Sequence, residues 1–370
     1  MENSLTVNAL IDLNKKKFEL LKKNRKPKIG WISIYTPEEI ITAAGLIPYR
    51  IFGKTEPVKA GRYLHRNICP YVLSCFEEAL IDELDFLDGV IIANACDARR
   101  KLYDVWKYFL KTDYVHMLDI PKTINPHAID YFKGQFYQLI KSLEQKYNKK
   151  ITDDSIKNAI SLCNEKRQLL QQLYELRKQD NPLITGTQAV NIVKAGMIGL
   201  NDEFNNRLTN LLDELHSQKT SNSKNNKPRI LVSGSYFDHI DILDILENAG
   251  ADVVCEDISN GINYFMGHVD INNNSVVGAL ADYYLDKATC ARMVDSEKRF
   301  NHICNLIAEY RVDAVVYFSL KFCDNNLIDF SYQKKKLNEK GIPLLFLETE
   351  RATTNINQIK IRLQAFLETI

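Results

Sequence analysis

What this sequence leaves out narrows it before what it contains. Its eight cysteines, at 69, 75, 96, 163, 255, 290, 304 and 323, include no CxxC pair, which excludes a zinc ribbon and a thioredoxin-type redox motif. Its seven histidines form neither HExxH nor an i, i+4 pair, so no helix-borne zinc site of that kind is written into it. GxGxxG and GxxxxGK[ST] are both missing, and the one phosphate-loop candidate, SGSY at 233–236, lacks their glycines; no nucleotide is expected on this chain. Forty-eight Lys+Arg against 47 Asp+Glu leave a formal charge of +1. No whole-chain field therefore draws nucleic acid or an anionic membrane. Apolar runs such as Ala314 to Leu320 fall far short of the ~20 residues a membrane-spanning helix needs. The lysine-rich opening segment is amphipathic and lacks the apolar core of a signal peptide. Together these absences predict a cytoplasmic protein whose cysteines are free thiols or metal ligands, because the cytosol keeps thiols reduced.

What is present is a repeated α/β grammar. At 370 residues, 45% hydrophobic and 26% charged, the chain can bury two ordinary cores. KPKIGWISIYTPEEIITAAGLIPYRIF predicts a strand near Ile29 to Ile34, a helix from Pro37 and a second strand near Pro48 to Phe52. Thr36-Pro37-Glu38-Glu39 reads as a capping box with proline in the first turn. Two hundred residues on, KPRILVSGSYFDHIDILDILENAGADVVCED repeats the pattern, with Ala249-Gly250 standing where Ala44-Gly45 closed the first helix. Strands alternating with helices predict parallel sheets, whose ligands lie outside the carboxyl ends of the strands. The predicted organisation is an N-terminal helix over 1–26, a first α/β domain over 27–126, a helical bridging segment over 127–216, a Ser/Asn/Lys-rich linker over 217–228 and a second α/β domain over 229–370. The fold class is thus α/β, two Rossmann-like parallel-sheet domains with a helical middle.

Chemistry concentrates where two apolar runs end. DGVIIANACDA and DAVVYFSLKFCD each begin with an aspartate, run through β-prone residues and stop at Cys-Asp, which places Cys96 and Cys323 at the ligand-bearing edge of their sheets. Cys69, in NICPYVLSC, precedes a predicted helix, and a helix N-terminus favours a thiolate. Soft sulfur donors suit zinc or an iron-sulfur cluster. Cys75, Cys163 and Cys304 read as small core residues. Asp97 and Asp324 are expected to cap the helices that follow them. Arg99, Arg100 and Lys101 present either a solvated helix face or a site for phosphate groups.

The succession YTPEEIITAAGLIPYR, NICPYVLSC, DFLDGVIIANACDA, LDIPKT, a helical middle, RILVSGSYFD, DAVVYFSLKFCD and GIPLLFLETE resembles the 2-hydroxyacyl-CoA dehydratase and benzoyl-CoA reductase family from about residue 26 onward. The likeness is to the smaller, single-cluster dehydratase subunit. That resemblance implies a [4Fe-4S] cluster, or a larger one, set between the domains and held by Cys69, Cys96 and Cys323. Cys255 and Cys290 become further candidate site cysteines, and Glu38 a candidate acid or base. It implies a homologous second subunit or a homodimer, a separate ATP-hydrolysing activator, and an acyl-CoA substrate. The implied reaction removes water from an (R)-2-hydroxyacyl-CoA through a ketyl radical. An ATP-dependent reductase subunit and a non-catalytic electron-relay or docking subunit are the alternatives.

Overall fold

A computed structural model describes residues 21, 23–218, 226–236, 241–271, 275–287, 290–350 and 356–370, with the side chain of residue 241 left out. The predicted N-terminal helix and linker fall largely outside these residues. Two four-stranded, all-parallel sheets form the frame. The first is built from β1 (Lys28–Ile32), α1 (Glu38–Ala43), β2 (Ile47–Arg50), α2 (Pro70–Leu80), β3 (Gly89–Asn94), α3 (Asp97–Phe109) and β4 (Val115–Asp119), with strand order β2-β1-β3-β4. A helical middle follows: α4 (Pro126–Tyr147), α5 (Asp153–Glu175), α6 (Gly186–Gly196) and α7 (Asn201–Ser217). The second sheet uses β5 (Arg229–Gly234), α8 (Asp241–Asn248), β6 (Asp252–Asp257), the single-turn α9 (Ile262–Phe265), α10 (Val276–Asp286), α11 (Ser296–Glu309), β7 (Ala314–Leu320), α12 (Asp324–Glu339), β8 (Leu344–Thr349) and α13 (Ile356–Leu367). Its order, β6-β5-β7-β8, repeats that of the first. Among the described residues no helix is long and apolar enough to cross a membrane.

The repeat reaches individual bonds. Central strands covered by helices on both faces read as continuous apolar runs, and KIGWI of β1 and AVVYFSL of β7 are buried at every position. The Lys28 N–H donates to the Asp88 carboxylate at 2.8 Å while the Asp88 N–H donates to the Lys28 carbonyl at 2.8 Å. Arg229 and Asp313 exchange the same two bonds at 2.7 and 2.9 Å. The aspartates ahead of the two apolar runs therefore pin the start of β3 to β1 and of β7 to β5.

The helical middle joins the halves through buried charge. From α5, Lys166 donates to Glu38 at 3.2 Å and Arg167 pairs with Glu39, both carboxylates lying on α1 of the first half. Just beyond α5, Arg177 donates to Glu256 on β6 of the second half at 2.5 and 2.9 Å, and Tyr174 adds a 2.7 Å bond to that carboxylate. These contacts correct the expected capping box. Helix α1 begins at Glu38 with Pro37 as its N-cap and no side-chain cap bond, and the Thr36 hydroxyl is buried without a partner. Glu39, which would have closed the box, instead accepts from Arg167 and from Tyr284 Oη at 2.7 Å. A charge-assisted bond in a dry interior outweighs a local cap.

Candidate functional site

Three helices begin at cysteine. Cys69 is the N-cap of α2, Cys96 of α3 and Cys323 of α12, and none of the three side chains caps its helix. Elsewhere in the chain the N-cap residues Asn125, Thr152, Thr185, Ser275 and Asp295 do accept a bond from their helix. The cysteine thiols thus sit at the positive end of a helix dipole, a position that favours negative charge. The first-turn acids expected to cap are not caps. Asp97 is exposed and pairs with Arg100 at 2.6 Å and Lys101 at 3.6 Å.

The three cysteines come from both halves and meet at their junction. A cavity of about 80 Å³ is lined by Cys96, Arg99, Cys290, Cys323, Tyr35 and Asn326, among others. It lies at the carboxyl ends of β1, β3, β5 and β7, where each strand order reverses and where open parallel sheets hold ligands. The two central strands leave the sheets in the same unusual way, with φ of 106° at Ser33 and 132° at Gly234. A side chain at Gly234 would come within 1.9 Å of the Phe318 carbonyl oxygen, so β5 can approach β7 this closely only with glycine there.

The thiols are electrostatically coupled. The Cys69 thiol donates to the Cys323 sulfur; that bond, together with burial, pushes Cys69 well above the usual range. The same bond, aided by Asn326, brings Cys323 down to about 6 against the effect of burial. Asn326 Nδ2 stands 3.2 Å from the Cys323 sulfur. Burial works to lower Arg99, yet Cys96, Tyr71, Cys290 and Cys69 around it outweigh that and raise it. Its guanidinium lies over the Tyr71 ring at 5.9 Å. Polar atoms on the cavity wall lack partners: Ser259 Oγ and Asn263 Oδ1 make no hydrogen bond.

The other sequence candidates separate clearly. Arg99 faces the cavity, whereas Arg100 is on the outside with Asp97. Cys290 joins the cavity; Cys255 is fully buried in β6, where burial and Glu256 push its thiol well up. Glu38 stands in the ion pair with Lys166 rather than on the cavity wall. Two residues escaped sequence reading. Tyr35 was signalled only by the repeat, which sets Tyr236 at the matching position of the second half. Arg292 was not signalled at all: from the second half it donates to the carbonyls of Ala95, Ile120 and Pro121 in the first, at 3.1, 2.9 and 2.7 Å. Among the described residues no three His, Cys, Asp or Glu side chains converge closely enough to share one metal ion.

Comparison with known proteins finds relatives along nearly the whole length of the chain. A family model described as 2-hydroxyglutaryl-CoA dehydratase, D-component, matches residues 33–370. The chain is 28% identical to the (R)-phenyllactyl-CoA dehydratase beta subunit of Clostridium sporogenes, over 96% of each chain. It is 26% identical to the beta subunit of the (R)-2-hydroxyglutaryl-CoA dehydratase of Acidaminococcus fermentans, over 94% of each. One of the subunits of the benzoyl-CoA reductase of Thauera aromatica is 23% identical over 92% of this chain and 90% of its own.

Proposed function

The chain belongs to the 2-hydroxyglutaryl-CoA dehydratase D-component family, and from that membership we propose that it is the iron-sulfur subunit of a 2-hydroxyacyl-CoA dehydratase, working with a homologous second subunit and a separate ATP-hydrolysing activator. The observation that carries the reading is the meeting of Cys69, Cys96 and Cys323, from three helix starts in both halves, beside one cavity. Three soft donors without a common focus for a single ion suit a cluster, whose thiolates each bind a different metal atom. A [4Fe-4S] cluster held there would supply one-electron chemistry at low potential.

The reaction is elimination of water from an (R)-2-hydroxyacyl-CoA. Hydroxide leaves carbon 2, a proton leaves the β-carbon, and the electron lent by the activator is returned, so no net oxidation or reduction occurs. The chain's own part is positional and electrostatic. Three helix N-termini favour the thiolates. Asn326 donates toward the Cys323 sulfur, and Arg99 sets one positive charge against several cysteines. Arg292 holds the two walls of the cavity at a fixed separation through three carbonyls.

The test is anaerobic reconstitution with iron and sulfide, followed by assay with the partner subunit, the activator, ATP and a panel of (R)-2-hydroxyacyl-CoA thioesters. Enoyl-CoA formation that disappears in Cys96→Ser together with cluster iron is the expected result. A colourless, iron-free wild type would end the proposal. The resemblance to one of the benzoyl-CoA reductase subunits keeps one second reading, an ATP-dependent reductase. Electrons consumed in proportion to product, rather than in catalytic amount, would favour it.

A further inference from the structure

A second cavity, of about 660 Å³, lies between α10, α11 and the residues that follow α9, and it shares no wall residue with the cysteine cavity. Its size falls among ligand sites, which run from roughly 300 to 1,000 Å³. Lys287, at the end of α10, lines it although only 9% exposed. Its Nζ lies over the rings of Tyr284 at 4.4 Å, Tyr283 at 4.9 Å and Tyr264 at 6.0 Å, and donates to the Tyr264 carbonyl at 3.3 Å. That acceptor is neutral. The two buried carboxylates that act on it, Glu38 and Glu39, are already matched by Lys166 and Arg167. Lys287 is therefore a third cation set against two anions, and neither carboxylate of that set is left to hold its proton. Burial does most to bring the amine down, to about 7; Arg167 and Lys166 act the same way, against Glu39 and Glu38. A lysine desolvated in a pocket and next to other cations is an activated nucleophile. A lysine kept only for packing would instead carry its ammonium out to water.

We propose that Lys287 is an acylation site, whose amine takes the acyl group of a thioester bound in the α10–α11 cavity. The nitrogen attacks the thioester carbonyl, the C–N amide bond forms as the C–S bond breaks, and the thiol leaves with the proton that the nitrogen gives up. No oxidant or reductant takes part. Asn301 and Asn305, one turn apart on α11, line the same cavity and offer amide donors and acceptors to the amide-bearing arm of a CoA thioester. The product is a neutral amide, which fixes the buried set at two cations against two carboxylates. The thioester here is an acyl donor to the protein and not a substrate for loss of water, so the site goes beyond the dehydratase reading. It also needs neither iron nor the cysteine cavity.

The experiment incubates the full chain as purified, with no partner subunit or activator added, with acetyl-CoA at about pH 7 and follows acetylation of each lysine by peptide mass spectrometry. Lys334 and Lys335, exposed on α12, serve as references. Lys287 should react at least about tenfold faster than either, because an ordinary lysine is almost wholly protonated at that pH. Its rate should level off with acetyl-CoA concentration and fall when free CoA is added. Asn305→Trp, which fills the cavity from an exposed position, should slow Lys287 and leave the two references unchanged. Equal rates at the three lysines of the wild type would overturn the proposal whether or not the variant folds. A Lys287 rate that is linear in acetyl-CoA and indifferent to CoA would overturn it too, since the cavity would then hold no thioester. Either failure leaves the dehydratase reading standing, and failure to dehydrate any 2-hydroxyacyl-CoA leaves this site standing.

Discussion

The two sheets share a strand order but end their second strands in opposite charge. In the first half β2 ends at Arg50, fully buried, with none of its three side-chain nitrogens hydrogen-bonded. Aromatic faces enclose it, Trp31 at 4.7 Å, Tyr236 at 5.2 Å and Tyr71 at 5.8 Å. In the second half β6 ends at Asp257, also fully buried and surrounded by donors: Ser233 at 2.6 Å, Asn263 at 2.9 Å and Arg299 at 3.2 Å. Burial alone would raise the Asp257 carboxyl, but Arg299, His302 and Ser233 bring it down to about 2. One backbone plan thus carries a cation wrapped in π faces in one half and a hydrogen-bonded anion in the other. Strand order is set by the apolar runs, whereas the side chains around the cavity are free to diverge.

That contrast can be broken most forcefully at the paired strand exits. Gly234→Ala drives a side chain into the Phe318 carbonyl at a φ of 132°. It should cost about 4 kcal/mol or more. Ser33→Gly at the matching exit relieves a φ of 106° worth about 1–3 kcal/mol, less about 0.5–1 kcal/mol of glycine's extra unfolded-state freedom. Thermal unfolding of the two variants should therefore move in opposite directions. A fall in both midpoints by the same amount would show that the exits are equivalent after all.

The buried charges give the next effect. The Asp257 carboxyl lies near 2 instead of its ordinary 3.8, which corresponds to about 2–3 kcal/mol of stability at neutral pH. Because the folded value is the depressed one, this contribution is complete above about pH 4 and is lost as the pH falls toward 2. Asp257→Asn should lower the unfolding free energy by that amount at pH 7 and flatten the acid limb of the stability profile. Arg50→Met removes an unpaired buried cation, which costs several kcal/mol to desolvate, along with three ring contacts worth up to about 2 kcal/mol each. The two nearly cancel, so denaturant midpoints should place this variant within about 2 kcal/mol of wild type. A loss from Arg50→Met larger than that from Asp257→Asn would reverse the proposed contrast.

Where the halves are alike, their variants should be alike. Asp88→Asn and Asp313→Asn each weaken one carboxylate-to-backbone bond at a strand start and should each cost about 1–2 kcal/mol in chemical denaturation. Smallest of all is Arg100→Ala, which removes a pair 58% and 55% exposed and should change stability by no more than about 0.5 kcal/mol. A larger loss on this variant would mean that the outer face of α3 is doing more than solvating the helix.

Sequence reading went furthest where the physics is local. The period of the apolar runs and the twice-used aspartate and lysine-proline signals predicted both βαβ frames, and the Cys-Asp endings marked the edge at which Cys96 and Cys323 stand. It failed where partners lie far apart along the chain. Glu38 and Glu39 are matched by Lys166 and Arg167, 128 residues away, and no local pattern announces such a match. The capping expectation for Thr36 was a sound local rule that a distant arginine overrode. Arg292 finds its carbonyls 171 to 197 residues back, and nothing in its own neighbourhood distinguishes it from a surface arginine.

That arginine also limits how the molecule can breathe. For the two halves to swing apart, three carbonyl oxygens would have to surrender one guanidinium together, and each would lose a charge-assisted bond worth about 1.5–3 kcal/mol. Hinge opening along this seam is therefore disfavoured by far more than thermal energy. A molecule arriving from outside meets a rigid doorway, and whatever adjusts on binding must do so at the rim.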